Sequence, residues 1–145
     1  MTAFLRFLFV VPFGFVAACF AASFALLWPF LDTEGAAEGD PVFWVQAGLG
    51  FLAQAAQVGS TALVPWAVFM VVTEIFALNS LIFHMAAGVL AGFAYSEFAY
   101  GGEELQASVR TALIVAGLGF AMVYWILAGR SAGRWRRQYR SGGPA

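Results

Sequence analysis

The feature that most constrains this chain is a set of long apolar segments from which charged residues are nearly absent. The segment 7–31 has no charged residue, and the stretch 42–98 has only Glu74 and, near its end, Glu97. Only 10% of all residues are charged, whereas a soluble domain usually has about 25%. A short chain has a large surface for its volume, so much of this apolar surface must face outward, where lipid accommodates it. The sequence therefore predicts an all-α membrane protein.

The apolar segments predict a bundle of four transmembrane helices. A helix needs about 20 residues to cross the hydrocarbon of a bilayer. We place the spans at about 7–31, 58–78, 80–98 and 109–128. Residues 1–129 would then form a single transmembrane domain, and residues 130–145 a basic tail.

The distribution of arginine predicts the orientation of the chain. Arg6 precedes the first span, and five of the seven basic residues follow Ala128. Because basic flanks stay in the cytoplasm, both termini are expected there, which requires an even number of spans. We therefore expect a multi-pass protein of a bacterial inner membrane, with the lipid bilayer as its first partner.

The segment 42–57 has two interpretations. Residues with small or amide side chains recur in it every three or four positions, and therefore share one helix face: Gln46, Gly50, Ala53 and Gln57. This pattern favours an additional interfacial or amphipathic helix. In the alternative, the stretch forms three spans, at 42–59, 62–78 and 81–98. That division gives five spans and would move the arginine-rich end across the membrane.

Two side chains inside the apolar stretches can ionise near neutral pH, Glu74 and His84. Each lies five residues from Asn79, the centre of a predicted turn, so both would sit about 7 Å from the cytoplasmic end. Ionisable groups inside a membrane are candidate functional sites, and histidine changes charge near neutral pH. The two residues are therefore a candidate polar pair. The structural alternatives are that they hydrogen-bond each other, or that Glu74 reaches the interface.

Small residues at four-residue spacing predict close helix packing. Gly88 and Gly92 form a GxxxG pattern, and Gly117 and Ala121 repeat the step in the last span. They predict either a contact between the last two spans or an interface between copies of the chain.

Two further features carry hypotheses about lipid. Arginines in the tail are candidates for contact with anionic headgroups: Arg134, Arg136, Arg137 and Arg140. The string that ends at Cys19 is similar to a lipoprotein cleavage box. The alternative, a small residue inside a span, is favoured because the apolar run continues past Cys19.

Several functional classes find no support in the sequence. It contains no GxSxG, HExxH or P-loop motif. One histidine and one cysteine do not suffice for a self-contained metal site or a haem held by two imidazoles, although a haem shared with another subunit stays open. The sequence therefore predicts no enzymatic activity, no metal, no cofactor and no nucleic-acid partner.

The heptapeptide EIFALNS at residues 74–80, which leads into Gly88, resembles the central hairpin of small uncharacterised four-span inner-membrane proteins of alphaproteobacteria. Those proteins often have arginines in the turn, where this chain has Leu78 and Asn79. The resemblance covers about one hairpin and implies a location and a topology.

We therefore expect an accessory or self-associating protein that acts by helix packing, as a homo-oligomer or within a larger membrane complex. The alternative is a small channel or transporter protomer in which Glu74 and His84 handle protons or a solute.

Overall fold

The computed structural model describes residues 6–31, 40–100 and 106–132, and every regular element within these ranges is helical. A π-helical turn precedes the first helix, and short 3-10 turns follow the first and last helices. The long helices are α1 Val11–Leu27, α2 Pro41–Phe76, α3 Leu81–Tyr100 and α4 Ala107–Leu127. The prediction of an all-α chain with four helices long and apolar enough to cross a membrane is confirmed.

The segment 42–57 is not a helix of its own. It forms the first part of α2, which runs without a break for 36 residues. The helix that contains the predicted span at about 58–78 therefore begins at Pro41, and no break divides it between residues 59 and 62. The reason is that the hydroxyl groups of Ser60 and Thr61 both donate to the carbonyl oxygen of Gln57, at 2.9 and 2.8 Å. These polar residues are thus satisfied inside a continuous helix.

The two ends of α2 have recognisable local causes. Asp40 accepts a hydrogen bond from the backbone N–H of Val42 at 2.9 Å, and Pro41 occupies the first turn, where a missing N–H costs nothing. At the other end Ala77 has a left-handed backbone with φ of 53°, and the N–H of Leu78 donates to the carbonyl of Thr73 at 2.9 Å. This is the usual way in which a helix stops and the chain reverses.

The four helices pack side by side in a row whose two outer helices, α2 and α3, approach each other near their shared turn. Helix α4 packs against both α1 and α3, whereas α2 packs mainly against α1. Helices α2 and α3 meet near their shared turn, where the rings of Phe69 and Phe83 lie 5.8 Å apart. Away from this turn a groove separates them. The order along the row is therefore α2, α1, α4, α3.

An aromatic cluster holds three of the helices together. Tyr124 of α4 is buried against Val11 and Ala18 of α1. The Trp66 ring of α2 lies 5.8 Å from the Tyr124 ring and 4.3 Å from the ring of Phe15. Because three helices contribute to this cluster, it fixes the position of α2 relative to α1 and α4.

Candidate functional site

The small residues of α3 and α4 lie against each other within one chain. A Cβ atom added to Gly88 would overlap the carbonyl oxygen of Gly117 and lie 2.6 Å from the Cβ of Ala121. A Cβ on Gly92 would lie 2.5 Å from the carbonyl oxygen of Leu113. These glycines therefore allow backbone-to-backbone contact between α3 and α4. An interface between two copies of the chain that uses the same residues stays a prediction.

A salt bridge joins the C-terminal end of α3 to the N-terminal end of α4. Arg110 of α4 donates from Nη2 to Oε1 of Glu97 on α3 at 3.1 Å. The guanidinium group also lies 5.9 Å from the centre of the Phe93 ring. This pair was not predicted from the sequence, although a glutamate near the end of one apolar span and an arginine near the start of the next could have indicated it.

A groove of about 580 Å³ lies between α2 and α3, with α1 and α4 forming its floor. On α3 it follows one helix face from His84 to Tyr95, a length of about 16 Å at the rise of an α-helix. Ala87 and Ala91 line it along this face. Their small side chains leave the space open between the two walls.

The α2 wall of the groove is divided into a polar and an apolar part. Gln54, Gln57 and Thr61 line it farther from the turn, while Pro65 and Phe69 line it nearer the turn. Within the described residues, the side-chain amides of the two glutamines have no hydrogen-bond partner. Of the four residues predicted to share one face of an interfacial helix, Gln57 lines the groove, whereas Gln46, Gly50 and Ala53 do not.

His84 is almost fully buried, with 1% of its surface exposed. Its Nδ1 lies 2.9 Å from the carbonyl oxygen of Ser80, so Nδ1–H is the donor and Nε2 is left as an acceptor. In the part of the chain described, Nε2 has no hydrogen-bond partner. It faces Gly129, where a Cβ would lie only 2.8 Å away. His84 lines the groove at the end near the turn.

Glu74 is also buried, with 6% of its surface exposed, but it is not among the residues that line the groove. The ring of His84 hydrogen-bonds to Ser80 and not to Glu74. The interpretation in which the two side chains hydrogen-bond each other is therefore wrong. A joint role in moving protons or a solute stays a prediction.

The remaining candidate residues are placed as follows. Cys19 is buried in the middle of α1, with Sγ 3.6 Å from the position of a Cβ on Gly59, which favours its interpretation as a residue within a span. No group of three or more His, Cys, Asp or Glu that could hold a metal occurs among the described residues. The candidate headgroup ligands lie outside the described ranges: Arg134, Arg136, Arg137 and Arg140.

No protein-family model matches this chain, and comparison with curated proteins and with solved structures found no similar protein. The resemblance of residues 74–80 to a hairpin of small inner-membrane proteins therefore stays a prediction.

Proposed function

We propose that this chain is a four-span integral protein of a bacterial inner membrane, with both termini in the cytoplasm. The mean hydropathy of the four helices ranges from 1.3 to 2.2. Large apolar side chains cover their outer faces, among them Ile82 with 80% and Phe98 with 91% of its surface exposed. Lipid is the medium in which such a surface is stable. Arg6 and the arginines that follow Ala128 support the orientation.

This topology can be tested with an epitope attached to the C-terminus. We expect the protein to resist extraction with alkaline carbonate. An external protease should remove the epitope in inverted membrane vesicles and leave it intact in right-side-out spheroplasts. Release by carbonate would contradict membrane insertion, and cleavage in spheroplasts would contradict the orientation.

Within the membrane we propose that the protein acts without enzymatic activity, by packing against a second copy of itself through α2. In this helix only 11% of the most apolar window is buried, against 22–33% in the other three. Four exposed β-branched residues follow one another at steps of four, three and four positions: Val64, Val68, Val71 and Ile75. We call this set the α2 seam.

The proposal rests on the spacing of the residues in the α2 seam. Steps of four and three place apolar residues along one side of a helix, as in helices that pack side by side. β-Branched side chains already have a restricted χ1 angle, so they lose little conformational entropy when they pack. Two identical seams related by a two-fold axis along the membrane normal would face each other residue by residue.

Cysteine cross-linking tests the seam. In a Cys19→Ala background, Val68→Cys is expected to form disulfide-linked dimers in liposomes at low protein-to-lipid ratio. Leu90→Cys is the matched control, since Leu90 on α3 is 66% exposed and Val68 is 61% exposed. Equal cross-linking of the two variants would indicate random collision. The absence of cross-linking at Val68 would remove the seam from the interface.

One observation favours the second candidate, a small channel or transporter protomer. His84 lines the groove, and its Nε2 lacks a hydrogen-bond partner among the described residues. Glu74, the other member of the expected pair, does not line the groove. We therefore place self-association first.

A further inference from the structure

We propose that the groove between α2 and α3 binds an uncharged amphiphile dissolved in the membrane, a hydrocarbon chain with one hydroxyl or carbonyl head group. The inference rests on the proposed membrane insertion but not on dimerisation through the α2 seam. The groove has a volume of about 580 Å³, which lies within the range of about 300–1,000 Å³ found for small-molecule sites.

The part of the groove between the glutamines and His84 fits a hydrocarbon chain. Its α2 wall includes Ala62, Pro65, Trp66 and Phe69, and the facing α3 wall includes Ala87 and Ala91. Gly88 and Gly92 also line the groove, but they have no side chains and lie in backbone contact with α4, so the side chains of the two alanines set the width of this part. A channel between apolar walls inside a bilayer is filled by apolar chains, because the walls of an empty channel would lack dispersion contacts.

The polar part of the groove fits a hydrogen-bonding head group. The Cys19 sulfur lies beside Gly59, and Cys19 is at the middle of the apolar helix Phe7–Phe30. Gln57 and Thr61 are each two residues from Gly59, so they lie within about 3 Å of that level along the helix. Primary amides without partners are costly at this depth in hydrocarbon. A hydroxyl or carbonyl head group would supply the partners that Gln54 and Gln57 lack among the described residues.

The charge of the lining determines the class of ligand. No Asp, Glu, Lys or Arg is among the described residues that line the groove. A carboxylate or phosphate head group would therefore be buried without a counter-charge, which is strongly unfavourable. Ordinary anionic lipids and ionised fatty acids are thus poor ligands, and a neutral head group is selected.

Tryptophan fluorescence provides the test, because Trp66 lines the groove and bromine quenches indole on contact. The protein is reconstituted in phosphatidylcholine liposomes and titrated with a brominated long-chain alcohol. The signal of Trp66 is isolated as the difference from a Trp66→Phe variant. We expect saturable quenching that an excess of the unbrominated alcohol reverses.

Two sets of variants locate the head group and the chain. Gln54→Leu combined with Gln57→Leu is expected to weaken binding about tenfold, the effect of losing hydrogen bonds to the head group. Gln46→Leu, at an exposed glutamine of the same helix that does not line the groove, is the matched control and should bind as the unmodified protein does. Ala91→Leu narrows the apolar part and should also weaken binding. Helix content by circular dichroism establishes that each variant is folded.

Three outcomes would overturn the proposal. Quenching by the alcohol that rises in proportion to its concentration, as for brominated phosphatidylcholine, would mean that ordinary bilayer lipid fills the groove. Unchanged affinity in the folded Gln54→Leu, Gln57→Leu variant would remove the glutamines from the site. A folded Ala91→Leu variant with unchanged affinity would remove the groove. Failure of membrane insertion is distinguishable, because brominated phosphatidylcholine would then quench none of the tryptophans.

Discussion

Gly117→Ala is expected to lower the free energy of unfolding by about 2–3 kcal/mol, the cost of adding volume where nothing can yield. A Cβ at this position would overlap the carbonyl oxygen of Gly88 and lie 3.2 Å from the backbone nitrogen of Gly92. Both neighbours are backbone atoms of α3, so relief requires that α3 and α4 move apart. The higher helix propensity of alanine offsets only about 1 kcal/mol of this cost.

Gly50→Ala is the matched control for this prediction. Gly50 is also inside a long helix, but a Cβ there would have no neighbour within 4 Å. The same substitution should therefore raise the free energy of unfolding by about 0.5–1 kcal/mol, the propensity difference alone. Reversible unfolding in mild detergent measures whether the free energy of unfolding falls for Gly117→Ala and rises for Gly50→Ala. A Gly117→Ala variant as stable as Gly50→Ala would contradict the close backbone contact between α3 and α4.

The helices were predictable because hydropathy and length are local properties of the sequence. Gly88, Gly92, Gly117 and Ala121 could likewise be recognised from their four-residue spacing. The continuity of α2 could not be predicted from the sequence. Gly59, Ser60 and Thr61 have the composition of a turn, yet the hydroxyl groups of Ser60 and Thr61 donate to the carbonyl oxygen of Gln57 inside the helix. Whether such residues end a helix depends on their surroundings, which a single sequence does not specify.

The groove was less predictable, because it arises from the choice of helix faces. Helix α3 packs Gly88 and Gly92 against the backbone of α4, and Ala87 and Ala91 line the groove beside them. Either pair has the spacing of a packing motif, so the sequence alone does not decide between them. His84 was recognisable by its residue type in an apolar run. That it would bond to Ser80 and not to Glu74 follows from the geometry of the turn.

Tyr124→Ala is expected to lower the free energy of unfolding by about as much as Gly117→Ala does, but for a different reason. Tyr124 has 4% of its surface exposed and lies where α1, α2 and α4 meet. In a soluble core, truncation of a large aromatic residue costs about 3–5 kcal/mol, partly because apolar surface returns to water. In lipid the unfolded helices remain in hydrocarbon, so the return of apolar surface to water does not contribute, whereas the cavity and the lost contacts of the Tyr124 side chain do. We therefore expect a loss of about 2–3 kcal/mol.

The neighbours of Tyr124 do not move in to fill the cavity that its truncation leaves. A Cβ on Gly14 would lie 3.6 Å from the Tyr124 ring and 3.2 Å from the Cβ of Ala128, so α1 and α4 are already close and cannot close the cavity by approaching further. Phe98→Ala is the control, since Phe98 is 91% exposed and its truncation should change stability by less than about 0.5 kcal/mol. Equal effects of the two truncations would mean that the aromatic cluster does not hold α2 to the other helices. The groove, whose shape depends on the position of α2, would then lack a fixed wall.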